Sequence, residues 1–133
     1  MELIVVDTSA LLAMLQNEPE RAAFAAKIAR TERRAVSAVS MLEAGMVAFG
    51  RRGQVGLSAL DELVTDLEFE IIPFDEAQYR LALTAFRTFG KGIHPRARLN
   101  LGDCAVYALA KGMNAPLLFK GDDFTATDLT PAL

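Results

Sequence analysis

The sequence predicts an α/β fold, a three-layer α/β/α sandwich built on a central, mostly parallel sheet, and three observations predict it. Short β-rich runs alternate with longer stretches of helical pattern, as in sheets whose strands are joined by helical crossovers. The first run, Glu2-Leu-Ile-Val-Val6, is apolar after its first residue, as a strand covered on both faces must be. The chain is 133 residues long and 52% hydrophobic. That supplies one packed core and one domain over residues 1–133, and it excludes disorder, collagen-like repeats and a disulfide scaffold.

The elements follow in order. After the first strand, Asp7-Thr-Ser9 supplies helix-starting side chains, and residues 10–16 read as a short helix. Pro19 opens a second helix over residues 20–31. Residues 35–38 read as a strand, and Ser40 is a cap candidate for a helix over residues 41–49. An amphipathic segment at 57–67 precedes a third strand at 69–73, and Asp75 caps a long helix reaching residue 89. Residues 89–98 are the least periodic and most basic part of the chain, hence a loop. A helix over 101–112 leads through Asn114-Ala-Pro116 into the last strand, residues 117–119. No repeat, linker or low-complexity segment interrupts this order.

Cys104 is the only cysteine, which excludes an intrachain disulfide and a cysteine-rich zinc site and suits a reducing compartment. A cytoplasmic protein is expected. No apolar run approaches the roughly 20 residues of a membrane span, so neither a signal peptide nor a membrane partner is expected.

The charges are distributed unevenly. Residues 3–17 hold only Asp7, residues 35–50 only Glu43, and residues 99–110 only Asp103, in a chain with 14 basic and 17 acidic residues. A carboxylate among apolar neighbours is costly to bury as an ion unless a cation or several hydrogen bonds compensate it. Each acid has a local account. Asp7 can cap the helix it precedes, Asp103 can complete a box begun by Asn100, and Asp122-Asp123 after Gly121 can be an acidic turn. Glu43, with Val47 at i+4, caps nothing and has no basic partner on its helix. Taken together, four or five carboxylates beyond the ends of parallel strands, with no His or Cys ligand set, imply a hard divalent cation, Mg²⁺ before Mn²⁺. Such ions orient phosphates and activate water, so phosphodiester hydrolysis is the natural chemistry.

Val6-Asp-Thr-Ser-Ala-Leu11, Ser40-x-x-Glu43, Leu99-Asn-Leu-Gly-Asp103 and Leu117-Leu-Phe-Lys-Gly-Asp-Asp-Phe124, in this order and spacing, resemble the PIN-domain ribonucleases of the VapC toxin type. The resemblance covers essentially the whole chain. It implies that Asp7, Glu43 and Asp103 are the core metal acids, with Ser9 and Ser40 as hydroxyls that orient them. Many members of that family end in Asp-x-Asp-Phe, whose first Asp falls on Gly121 here, so the fourth acid is Asp122 or Asp123. Asp123 keeps the family's relation to Phe124 and is the fourth metal candidate. The resemblance further implies a Mg²⁺-dependent endoribonuclease leaving a 3′-hydroxyl and a 5′-phosphate. It also implies a cognate antitoxin whose tail covers the acidic rim, and a homodimer. Leu81, Ala82, Leu83, Phe86 and Phe89 read as core or dimer-face positions rather than base-stacking platforms.

Setting the five acids aside leaves 12 acids against 14 bases, a remainder that attracts RNA once metal neutralises the rim. Lys91, His94, Arg96, Arg98 and Lys120 are the candidate RNA contacts, with Arg51 and Arg52 as further ones or as a solvated helix end. Cys104 and the methionines Met41 and Met46 read as core. Two other functions compete with the toxin. One is a housekeeping nuclease of the same fold without an antitoxin. The other is a phospho-receiver module using Asp75 and Lys120, which wants an acidic pair after the first strand where this chain has Thr8 and Ser9, and which leaves Glu43 and Asp103 unused.

Overall fold

The computed structural model describes residues 2–133. Four strands, β1 (Leu3–Val6), β2 (Arg33–Ser37), β3 (Glu70–Ile72) and β4 (Leu117–Leu118), form one sheet in the order β3-β2-β1-β4. Every pairing is parallel, with Val5 opposite both Ala35 and Leu117. The expected sandwich is therefore present, with an all-parallel sheet.

Five helices cover the two faces: α1 (Thr8–Leu15), α2 (Arg21–Ala29), α3 (Ala38–Asp66), α4 (Glu76–Phe89) and α5 (Leu101–Gly112). Period-two alternation along the strands sorts the core into two halves. Ile4, Val6, Val36 and Leu118 pack with Leu11, Met14, Phe24, Ile28 and Leu60 of α1, α2 and α3. Val5, Ala35 and Leu117 pack with Ala82 and Ala85 of α4 and with Val106, Ala108 and Leu109 of α5. Helix α5 is buried along nearly its whole length, which explains why residues 99–110 tolerate so little charge.

Besides shifts of one or two residues at other element ends, three features differ from the sequence reading. Strand β2 begins at Arg33 because both arginines find partners. Arg33 pairs with Glu70 on β3, and the Arg34 guanidinium donates to the carbonyls of Ile28 and Leu67. Ser37, not Ser40, caps the helix after β2, accepting from the Val39 N–H at 3.1 Å, and Ala38 is helical rather than extended. The two helical segments at 41–49 and 57–67 are joined in α3 across a kink at Gly53, whose φ of 58° is left-handed. Among the described residues, no helix is long and apolar enough to cross a membrane.

Candidate functional site

The carboxyl ends of β1, β2 and β4 converge with the start of α5, and the lone acids gather there. Asp7 is the first residue after β1 and caps α1. Its Oδ2 accepts from the Ser9 N–H at 3.0 Å and from the Ser9 hydroxyl at 2.6 Å. That hydroxyl in turn accepts from the Lys120 N–H at 2.9 Å, so Ser9 ties the end of β4 to Asp7. Glu43 stands in the second turn of α3, where Thr8 Oγ1 donates to its Oε1 at 3.1 Å and to the carbonyl of Ser40 at 3.3 Å. Asp103 lies in the first turn of α5 and completes the capping box: its own N–H donates to Asn100 Oδ1 at 2.9 Å, and its Oδ2 accepts from the Asn100 N–H at 3.1 Å.

The electrostatics bind these positions into one group. Burial pushes the carboxyl of Asp7 above its ordinary range against the hydrogen bonds from Ser9, and the charge of Asp123 adds to the rise. Glu43 is raised by burial and by Asp7, with the Thr8 hydroxyl opposing. Asp103 is pushed up to about 6, first by burial and then by the charges of Asp7, Asp123 and Glu43. Each salt bridge among the described residues involves other acids: Glu70, Glu76, Asp128, Glu18 and Glu20. The charges of Asp7, Glu43, Asp103 and Asp123 therefore act on one another, and none of the four is in a salt bridge among the described residues. Asp122, named with them from the sequence, contributes to none of these shifts; it is exposed, and its carbonyl accepts from Thr125. Gly121 turns the chain with a φ of 93° just before the pair, a conformation that favours glycine over the aspartate of the family pattern.

The donor set is oxygen only and repulsive, which fits a hard divalent cation. It is not a closed cage, since among the described residues no three acidic, His or Cys side chains stand as a ready coordination group. Mg²⁺ binds by one or two carboxylates and keeps several waters, so an open rim suits it.

The remaining candidates divide. Lys91, Arg96 and Arg98 are exposed and form none of the salt bridges found, while Ala97 and Leu99 between and beyond them are buried and anchor the loop. His94 is turned to the loop itself: its Nδ1 accepts from the N–H groups of Arg96 at 3.1 Å and Ala97 at 2.9 Å, and its ring packs on Phe89. Lys120, also a candidate RNA contact, has its ammonium paired with Glu18 and Glu20. Ser40 orients no acid, its hydroxyl being buried without a partner. Thr8, which holds Glu43, escaped the sequence reading because a threonine after Asp7 reads as part of a helix start. Arg51 and Arg52 line a groove with Leu15, Gln16, Asn17, Ala48 and Gly56, away from the acids. Cys104 is buried and its thiol is pushed up to about 11, chiefly by burial and then by Asp103, as expected of a packed cysteine.

The model of the PIN domain matches residues 4–129. The chain belongs to the PIN-domain family. Within it, the PIN domain described here is 45% identical over 130 residues to the VapC ribonuclease Mb0625 of Mycobacterium bovis and to ribonuclease VapC28 of Mycobacterium tuberculosis, covering 98% of this chain and of each relative. The fold is similar to that of Mycobacterium tuberculosis VapC20, a sarcin-ricin loop cleaving toxin, with a TM-score of 0.77 at 15% identity over 96% of both chains. It is also similar to VapBC2 from Rickettsia felis bound to a promoter DNA fragment, with a TM-score of 0.75 at 16% identity over 97% of this chain and 96% of that one.

Proposed function

We propose that this PIN domain is a Mg²⁺- or Mn²⁺-dependent endoribonuclease and the toxin of a toxin–antitoxin pair. The observation that carries the reading is the convergence of four carboxylates at the strand ends without a basic partner, in a chain that shares 45% of its residues with VapC ribonucleases. Asp7, Glu43, Asp103 and Asp123 would hold the ion, one or two directly and the others through its waters, and the ion when bound would orient the scissile phosphate, make a water more nucleophilic and offset the charge that develops on phosphorus. Ser9 fixes the direction of the Asp7 carboxylate, and Thr8 does the same for Glu43. Lys91, Arg96 and Arg98 draw the RNA backbone to the rim from the neighbouring loop. The toxin–antitoxin structures of similar fold, among them VapBC-1 from Haemophilus influenzae, support an antitoxin as the partner, and its tail would cover the rim.

The test is cleavage of a single-stranded RNA by protein stripped of metal. Chelator is expected to abolish cleavage, and added Mg²⁺ or Mn²⁺ to restore it. Undiminished cleavage by metal-free, contaminant-free protein would refute the reading.

A further inference from the structure

Gly102, the glycine beside Asp103, takes on a role if the metal-site reading holds, and the inference drawn from it rests on that reading. It is the second residue of α5 and is buried. A Cβ placed on it would stand 2.2 Å from Oε2, 2.5 Å from Cδ and 2.5 Å from Oε1 of Glu43. All three of its nearest neighbours thus belong to one carboxylate, which lies against the bare Cα in space that any other side chain would fill. Gly102 is not among the glycines with a left-handed backbone, so conformation does not require glycine here. Helix propensity argues against it, since alanine is the better helix former. The carboxylate of Glu43 is what the position accommodates.

On its other side the same carboxylate accepts from Thr8 Oγ1 at 3.1 Å. Glu43 reaches from α3 into a slot with α1 on one wall and α5 on the other. Thr8 supplies the directional hydrogen bond, and Gly102 sets how closely the carboxylate approaches the turn that carries Asp103. We infer that Gly102 is a positioning residue for the metal site, acting through Glu43 by having no side chain. Because the obstructing atoms are the far end of a flexible side chain, Gly102→Ala displaces the carboxylate instead of the backbone.

The experiment compares the parent with Gly102→Ala, Glu43→Ala and the double variant, reading Mn²⁺ binding by titration calorimetry and thermal unfolding in metal-free buffer. Gly102→Ala is expected to fold and to bind Mn²⁺ about ten- to a hundredfold more weakly than the parent, the range seen when a ligand's outer support is removed. The same change is expected to raise the Tm of Glu43→Ala, where the obstruction is gone and only helix propensity remains, and not to raise the Tm of the parent. Should Gly102→Ala fail to fold, recovery of folding in the double variant supports the inference equally. Parental Mn²⁺ affinity in Gly102→Ala, the same Tm change in both backgrounds, or a double variant that does not fold would each overturn it. Parental Mn²⁺ affinity in Glu43→Ala would instead remove Glu43 from the metal site, and the positioning role with it, while the Tm comparison would still report whether the two residues meet.

Discussion

Asp103 carries two duties whose energies differ in size. As part of the capping box it contributes an interaction with the start of α5 worth roughly 0.3 to 1 kcal/mol, and asparagine keeps most of that geometry. As a member of the acidic group it is held up to about 6 by burial and three neighbouring charges, an unfavourable state for the carboxylate. Asp103→Asn is therefore expected to leave the metal-free protein at least as stable as the parent at pH 7.5, while cleavage of RNA with saturating Mg²⁺ is abolished. Paired unfolding and cleavage measurements check this, and retained activity would reject the ligand role. The pH dependence follows from the same shift. The folded protein keeps the proton on Asp103 to a higher pH than the unfolded chain does, so this group's contribution to stability falls as pH rises from about 4 to about 6 and is flat above. The parent should show that decline without metal, and Asp103→Asn should show less of it. Asp7, Glu43 and Asp103 were legible as lone charges in apolar windows, because burial leaves that mark on sequence. The pairing of Lys120 with Glu18 was not, since the two are 102 positions apart and nothing local to either reports the other.

The loop between α4 and α5 shows how an irregular segment can be both ordered and exposed. Gly90 and Leu99 bridge its ends, His94 gathers its turn, and Ala97 and Leu99 are buried while Arg96 and Arg98 face solvent. Alternation of this kind presents two guanidinium groups to solvent, neither in a salt bridge among the described residues. Arg96→Ala with Arg98→Ala, placed in the inactive Asp103→Asn background so that RNA stays intact, is expected to weaken RNA binding. The slope of log affinity against log salt should shrink by about 0.7 for each phosphate that an arginine no longer neutralises. Binding measured across a salt series decides it, and an unchanged slope would leave the arginines as solvated surface. Element identities were readable from periodicity and turn residues throughout. Helix α3 was the exception in extent, because Gly53 between two arginines and a glutamine reads as a break, whereas the folded chain only kinks there. Its start was misplaced for a related reason: two serines three residues apart are equally good caps on paper, and packing of β2 against β1 and β3 decides that the strand ends at Ser37.

At the scale of the whole molecule, an apolar surface between α4 and α5 is out of keeping with a solitary chain. Phe74, Tyr79, Leu83, Phe86 and Leu101 line an apolar groove between α4 and α5, with Leu83 52% and Leu101 81% exposed. The groove walls carry no charged residue, as in the cores of homodimer interfaces, which are depleted of charge. We propose that the homodimer expected from the family resemblance buries it against a second copy of the chain. Leu83→Glu is expected to convert a dimer into a folded monomer in sedimentation analysis, whereas a parent that is already monomeric at micromolar concentration would overturn the assignment. The sequence disclosed α4's apolar positions without showing which of them face outward. Ala82 and Ala85 are buried while Leu83 and Phe86 are exposed, a choice made by where α5 lies.

The strand order also has a temporal meaning. Strand β1, made first, sits in the middle of the sheet and receives one of its neighbours, β4, only after residues 117–118 have been synthesised. Two of the four clustered acids, Asp103 and Asp123, likewise come from the final quarter of the chain. At roughly 5 to 20 residues per second, the ribosome holds the growing protein for several seconds with the first two acids made and the last two not yet available. The site proposed at these acids therefore forms only after the last two have been made, which ties its assembly to the late pairing of β4.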